Sequence, residues 1–293
     1  MFSMTNTSEV TGKDALDGLL DGVKHLPPTP VMLIKLIELF RDSDRDVDAV
    51  VGLMRQEPAL TAEVLRRCNS SFFGSKNAVT DVRQAVFRVG FFEVYRMSVA
   101  LFGMQSITKA KAANSIPALE LWEHAATTAI IAGTLARELG ESEGVAFTAG
   151  LLHDIGKIAM ASIDEESYGK LLAENGPSGP NLNAAEKYEF GFTHGQVGAR
   201  LLKRWGVPEQ ICTPVLCHHQ ETWSGEFERL GSIVNLANVM AHEFQKNAAG
   251  ATTKIPEAAP AIKSLGILPE DLAQLDEYAR SDVKRSLSRF AKS

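Results

Sequence analysis

The sequence lacks an apolar run of the roughly 18–20 residues that a membrane-spanning helix needs. It also lacks the basic amino-terminal region and apolar segment of a secretory signal peptide, so we expect a cytoplasmic protein with no membrane partner. Its three cysteines have no CxxC spacing and fit neither a disulfide framework nor a zinc ribbon. We expect Cys68, Cys212 and Cys217 to be reduced and largely buried.

Positive charge is also scarce. The 30 lysines and arginines stand against 36 aspartates and glutamates, which gives a net charge of −6. A nucleic-acid-binding surface needs a basic stripe to contact phosphates, and no long basic run is present. The composition therefore predicts no nucleic-acid partner.

The hydrophobic residues recur with a period close to 3.6 almost throughout, and no segment alternates as a strand would. This pattern predicts an all-α fold in two helical lobes. Asp46 and Thr193 are expected to cap the helices that follow them. The predicted helices span residues 30–40, 47–54, 58–68, 81–89, 91–107, 119–139, 142–160, 183–188, 194–205, 208–219, 226–244 and 269–291.

A stretch rich in lysine, alanine, asparagine and serine at 109–117 is the best boundary between two lobes. We predict a flexible amino terminus at 1–17 and a helical lobe at 18–112. A second helical lobe at 113–247 would carry the functional site, and 248–293 would form a helical extension.

Five of the seven histidines lie between residues 124 and 219, on or beside predicted helices, and an aspartate adjoins one of them. Neutral imidazole is the commonest metal ligand, and a carboxylate compensates the charge of an ion. Helices that direct such groups inward build metal sites in bundles. The predicted metal ligands are His124, His153, Asp154, His194, His218 and His219.

Two further charged residues share helix faces with these ligands. Lys157 follows His153 by four residues, where a cation suits a phosphate oxygen better than a metal. Glu120 precedes His124 by four residues and could add a carboxylate. On the predicted helix 142–160, His153 and Asp154 diverge by about 100°, so both could touch an ion between them. The alternative is structural: histidines can serve as polar core groups, or favour a helix end, without any ligand.

The order of these histidines resembles the HD superfamily of metal-dependent phosphohydrolases and, at several points, its HD-GYP branch of cyclic-dinucleotide phosphodiesterases. Residues 149–157 (AGLLHDIGK) look like the HD motif, and 192–199 (FTHGQVGA) look like the next histidine motif. Residues 218–220 (HHQ) resemble an HHE motif with glutamine in place of glutamate. Asn238 stands where the family has its distal aspartate, and the glycine-tyrosine-proline signature is absent.

A longer stretch, about 20–245, resembles the HDOD domain, the HD-related output domain. The matching segments are 26–30 (LPPTP), 57–65 (EPALTAEVL) with 69–74 (NSSFFG), and 81–90 around DVRQAV. The resemblance implies a two-lobed helical fold with an HD-type bundle as its second lobe. It also implies a bacterial signalling module with a kinase, receiver or cyclase partner.

Three hypotheses follow. The chain is a signalling output domain that retains a metal, or an active phosphohydrolase, or a protein whose histidines are only structural. In the enzyme reading, Asp154 and Lys157 act on a phosphoester such as a nucleotide or cyclic dinucleotide. The resemblance favours iron or manganese over zinc, cobalt or nickel. One or two ions are expected because Asn238 brings an oxygen ligand without charge, and a monomer and a dimer both remain open.

Overall fold

The structure, a computed structural model, describes residues 15–21, 35, 37–39, 47–54, 58–69, 78–108, 117–177, 181–220, 224–246 and 260–291. From residue 47 onward its helices are α1 (Val47–Met54), α2 (Pro58–Cys68), α3 (Val82–Val89), α4 (Phe91–Thr108), α5 (Ala118–Glu138), α6 (Glu143–Leu152), α7 (Ile155–Ile163), α8 (Glu165–Asn175), α9 (Leu182–Phe190), α10 (His194–Arg204), α11 (Glu209–Cys217), α12 (Glu228–Lys246), α13 (Pro260–Leu265) and α14 (Pro269–Ala291). These residues contain no strand. In the same ranges, no helix combines the length and apolar character that crossing a membrane requires.

The all-α prediction is confirmed. Helices α2 and α14 begin and end as the period and the prolines predict, and Thr193 caps α10 in a capping box with Gln196. The predicted cap Asp46 lies outside the described residues, as does most of the predicted helix 30–40. Helices α8 and α13 were not predicted. Residues 15–21 are helical and overlap the predicted flexible segment 1–17, and the predicted domain boundaries stay predictions.

The predicted single helix at 142–160 is wrong. Helix α6 ends at Leu152, α7 begins at Ile155, and His153 and Asp154 form the turn between them. The backbone of Asp154 leaves the helical region, with φ −99° and ψ 8°. The turn redirects α7 toward α10, a tertiary contact that the local hydrophobic period cannot reveal.

The helices pack as two lobes. Helices α1 to α4 contact one another, and α4 then lies against α5 and α6 of the second lobe. A buried hydrogen bond of 2.5 Å between the hydroxyls of Tyr95 and Thr148 joins α4 to α6. Helix α14 packs along α5, where the buried Asp282 accepts a hydrogen bond from Thr134 and pairs with Arg137 at 3.2 Å. Helices α4 and α14 therefore both pack against helices of the second lobe.

Two glycine contacts bring the helices of the second lobe close together. A Cβ at Gly150 would lie 3.0 Å from the Cα of Ala129, so α5 and α6 approach closely. A Cβ at Gly156 would lie 1.9 Å from the carbonyl oxygen of His194, and one at Gly198 would lie 3.0 Å from the nitrogen of Gly156. Helices α7 and α10 thus meet backbone to backbone, which carries the start of α10 to the turn at His153 and Asp154.

Candidate metal centre

The carboxylate of Asp154 lies at the centre of the histidine cluster. Its Oδ1 is 3.2 Å from His194 Nε2 and 3.7 Å from His218 Nε2, and its Oδ2 is 3.3 Å from His153 Nε2. The side chain is 3% exposed. Burial alone would raise the pKa of this carboxyl, but His153 and Lys157 beside it hold the pKa well below its usual range. Asp154 is therefore a buried carboxylate with one oxygen toward each of two sets of histidines.

The first set, here called the His194 group, comprises Asp154, His194, His218 and His219, whose ligand atoms all lie within 4.8 Å of one another. His194 Nε2 is 3.3 Å from His218 Nε2 and 3.1 Å from His219 Nε2. Burial lowers the pKa of His218 to about 4, and burial together with His218 also lowers the pKa of His219. The neighbouring carboxylates of Asp154 and Glu186 raise the pKa of His194 despite its burial. His219 is the one exposed member.

Two helix ends orient the rings of this cluster. His153 and His218 stand at the carboxyl ends of α6 and α11, where helical carbonyls are left without intrahelical partners. The Nδ1 of His153 lies 2.7 Å from the carbonyl oxygen of Gly150, and the Nδ1 of His218 lies 2.6 Å from that of Val215. A carbonyl oxygen can only accept, so each Nδ1 carries the proton. In the neutral ring, each Nε2 then directs a lone pair toward Asp154.

The third ring, that of His194, is also oriented by a hydrogen bond from its Nδ1. The acceptor is a residue that the sequence analysis did not predict. The buried Glu186 accepts from His194 Nδ1 at 2.8 Å, so the ring again turns its Nε2 to Asp154. A signal was present in the sequence. Leu182, Glu186 and Phe190 recur every four residues on one helix face, and an acidic residue between two apolar ones marks a buried carboxylate.

The second set, the His124 group, comprises His124, His153 and Asp154. Here the ring of His124 lies between two amides, with Nε2 2.8 Å from Asn238 Oδ1 and Nδ1 3.3 Å from Gln245 Oε1. Burial, followed by the proximity of the His153 ring, lowers the pKa of His124 well below its usual value. Both neighbours are amide oxygens, which accept, so the neutral ring donates to one of them and an amide oxygen also lies against the nitrogen that keeps the lone pair. Each nitrogen of His124 is thus faced by an amide, whereas in the His194 group the Nε2 atoms of His194 and His218 face Asp154.

The cluster fits a divalent metal ion. Two of its atoms, His153 Nε2 and Asp154 Oδ1, are buried and without a hydrogen-bond partner, which is costly unless a further group satisfies them. Three Nε2 lone pairs around one carboxylate repel one another in the absence of a cation. Nitrogen donors with one carboxylate suit transition metals.

Lys157 and Glu120 do not have the surroundings that the sequence analysis predicted for them. Lys157 is buried, and its Nζ donates to Asp154 Oδ2 and to the carbonyl oxygen of Pro177, each at 2.7 Å. Its ammonium is thus engaged, whereas sequence reasoning expected it to face a phosphate. Glu120 is exposed in the first turn of α5 and belongs to neither group.

A cavity of about 220 Å³ opens beside the His194 group. Its walls come from the start of α9, the start of α10 and the end of α11, and they include Lys187, Gln196, His218 and His219. The cavity gives a small polar molecule a route to the two rings that end α11.

A model of the HDOD domain matches residues 26–221 of the chain. The chain belongs to the HDOD domain family. The HDOD match runs from the predicted opening segment to just past the histidine pair at 218 and 219, and it ends before α12. It therefore agrees with the resemblance found in the sequence motifs.

Among curated proteins, this HDOD chain is 26% identical over 230 residues to an uncharacterised protein of Treponema pallidum, covering 75% of the chain and 43% of that protein. It is 28% identical over 218 residues to ribonuclease Y of Syntrophobacter fumaroxidans, covering 74% of the chain and 34% of the enzyme. The chain therefore spans less than half the length of either relative.

Two solved structures share the fold. An HDOD domain protein of unknown function from Geobacter sulfurreducens superposes with a TM-score of 0.74 at 22% identity, covering 94% of this chain and 97% of that one. A candidate signal transduction protein from Marinobacter aquaeolei gives a TM-score of 0.75 at 22% identity, covering 98% and 67%. At these identities the likeness concerns the fold.

Proposed function

We propose that this HDOD domain is a signalling output module whose His194 group holds one divalent metal ion, with iron or manganese favoured. The observation that carries the metal is the orientation of three rings. His194 and His218 donate Nδ1–H to an oxygen and turn Nε2 toward Oδ1 of Asp154, and His153 has the same orientation toward Oδ2 of that carboxylate, outside the proposed ligand set. The ligands would be Asp154, His194, His218 and His219. The module would act on a signalling partner such as a kinase, receiver or cyclase.

One ion fits the charges better than two. Asp154 is the carboxylate shared by both groups, and its Oδ2 is already neutralised by the ammonium of Lys157. The amide of Asn238 brings no charge to the His124 group. A second dication would add two positive charges to a buried region without adding any negative ligand, which is strongly unfavourable at low dielectric.

An active phosphohydrolase is the second candidate, and the cavity beside His218 and His219 is the observation that favours it. The identity to ribonuclease Y over three quarters of the chain is compatible with it. A bound ion would lower the pKa of a coordinated water and so supply a nucleophile. In this reading Lys157 would have to release Asp154 or Pro177 before its ammonium could meet a phosphate.

Metal analysis of protein purified without added metal tests the first part of the proposal. We expect close to one equivalent of a transition metal, either as purified or after reconstitution with Fe²⁺ or Mn²⁺. Less than about a tenth of an equivalent after both treatments would refute the metal site. The hypothesis that the histidines are only structural would then remain. Bound ion should also raise the free energy of unfolding, by about 2.7 kcal/mol at a hundredfold excess over Kd.

An assay of phosphoester hydrolysis, together with a pull-down, distinguishes the signalling module from the phosphohydrolase. We expect the reconstituted protein to leave a panel of nucleotides and cyclic dinucleotides intact, and a pull-down from the source bacterium to retain a kinase, receiver or cyclase. Hydrolysis that disappears in His153→Ala, combined with no retained partner, would replace the signalling function with the enzymatic one. Hydrolysis that survives this substitution would come from elsewhere than this site.

A further inference from the structure

Glu186 is a wholly buried carboxylate that lies outside the ligand set. It is 0% exposed and comes from α9, eight residues before His194. Its Oε2 accepts from the backbone nitrogen and from Nδ1 of His194, both at 2.8 Å. Its Oε1 accepts from the hydroxyl of Tyr168 at 2.7 Å. Within the described residues, no lysine or arginine pairs with it.

The position of His194 in its helix explains why such a group is needed. His153 and His218 end their helices and donate Nδ1–H to a carbonyl three residues earlier. His194 begins α10, so no turn of its own helix precedes it. An acceptor for its Nδ1 must come from another segment of the chain.

Capping of α10 does not account for this glutamate. Thr193 already caps the helix, since its hydroxyl accepts from the backbone nitrogen of Gln196 and the Gln196 side chain returns a bond to Thr193. A neutral acceptor would also have satisfied the remaining donors of His194. The chain instead buries a negative charge, which is costly to desolvate and is matched only by strong hydrogen bonds.

We propose that Glu186 and Tyr168 are positioning residues for the metal centre, acting through His194. Glu186 fixes the proton on Nδ1 and increases electron donation from Nε2, as carboxylates do behind metal-bound histidines. Tyr168 holds the carboxylate in the plane of the ring through its hydroxyl. This inference rests on the proposed ion in the His194 group, and it predicts that two side chains that never touch the ion set its affinity.

The experiment uses the full chain and Co²⁺ alone as the probe. Wild type, Glu186→Gln, Tyr168→Phe and Glu189→Gln are titrated with Co²⁺ against a chelator, and the visible absorption of each loaded protein is recorded. Glu189 is exposed on the same helix and is the matched control for loss of one charge. The thermal midpoint of each metal-free protein reports the purely structural effect.

We expect Glu186→Gln to weaken Co²⁺ binding by about 10–100-fold and to shift the visible bands, because the amide can donate to Nδ1 and reverse the tautomer. Tyr168→Phe should weaken binding by roughly threefold, whereas Glu189→Gln should match wild type. If folded Glu186→Gln keeps wild-type affinity and bands, the inference is overturned. If that variant does not fold, Tyr168→Phe decides in the same way.

The wild-type titration separates this inference from the proposed function. Wild-type protein that binds no Co²⁺ overturns the proposed ion and this inference with it. Wild-type protein that binds Co²⁺ while its positioning variants bind equally well overturns only the roles of Glu186 and Tyr168. Nitrogen-15 NMR of the metal-free protein adds a direct readout, because the proton on His194 Nδ1 should leave that nitrogen in Glu186→Gln.

Discussion

The two sets of histidines around Asp154 are built from the same residue types but differ in what lies behind each ring. In the His194 group, carbonyl and carboxylate oxygens accept the Nδ1 protons of His194 and His218, which leaves Nε2 available. In the His124 group, amides of Asn238 and Gln245 lie at both nitrogens of His124. The groups behind the rings, more than the rings themselves, therefore decide which set can bind an ion.

The two groups also differ in whether the oxygen of Asp154 that faces them is already hydrogen-bonded. Oδ1 of Asp154, toward His194 and His218, has no hydrogen-bond partner, whereas Oδ2, toward His153, is bonded to Lys157. The His124 group thus has an amide at each nitrogen of His124 and a carboxylate oxygen already bonded to an ammonium. Four predictions break or sharpen this contrast.

Gly156→Ala should have the largest effect, because its Cβ would overlap the carbonyl of His194 and force α7 and α10 apart. We expect roughly 4 kcal/mol of lost stability, at the upper end for single substitutions, together with loss of metal from the His194 group. Chemical denaturation and metal analysis measure both. Gly133→Ala in α5 is the control, since its Cβ would meet only ordinary contacts of 3.5 Å, with Glu143 and Phe147 of α6. Equal stability of the two variants would refute the close crossing.

Lys157→Met should cost the metal-free protein about 3 kcal/mol, because it leaves the buried Asp154 carboxylate without its cation. Bound metal should recover most of this loss, since the ion supplies positive charge to the same carboxylate. Denaturation curves with and without Mn²⁺ measure the difference, and the exposed Lys170→Met serves as the control. The ion count should stay at one, and a rise to two would show that Lys157 alone keeps the His124 group closed.

His218→Ala and His124→Ala form a matched pair, one from each group. We expect the first to weaken metal binding by about a hundredfold or more, equivalent to roughly 2.7 kcal/mol, and the second to change it by less than about threefold. Competition with a chelator gives both values. Equal losses would mean that the two groups share one ion, and a larger loss in His124→Ala would reverse the assignment.

Asn238→Asp should have the smallest effect and the opposite sign. The added carboxylate would supply charge beside His124 Nε2, so metal affinity should rise by about tenfold, or roughly 1.4 kcal/mol, with a second equivalent bound. Isothermal titration calorimetry reports the affinity and the count together. Weaker binding would show that Asn238 does not stand at the distal ligand position.

The sequence predicts the histidine cluster better than it predicts the groups that orient its rings. His124, His153, His194 and the histidine pair at 218 and 219 could be found because imidazoles are rare and their order resembles a known family. The turn at His153 and Asp154 could not, because it depends on the crossing of α7 with α10, which no local pattern encodes.

The sequence analysis missed the role of Glu186 and the second hydrogen bond of Lys157 for a related reason. Glu186 is one of 36 acidic residues, and Lys157 acquires its second partner from the carbonyl of Pro177, 20 residues along the chain. Helix caps such as Thr193 were predictable because the side chain bonds to its own neighbours. The spacing of Leu182, Glu186 and Phe190 indicates that Glu186 is buried, but it does not reveal which residues bond to it.

The exposure of His219 has a kinetic consequence. Asp154, His194 and His218 are at most 3% exposed, so an ion arriving from water meets His219 before the other members of its group. Capture by this one ring would shed part of the hydration shell before the ion moves inward. Loss of the ion would reverse that path or await local opening of α10. For the proposed ion, His219 would therefore set the rate of exchange, while the buried residues would set the affinity.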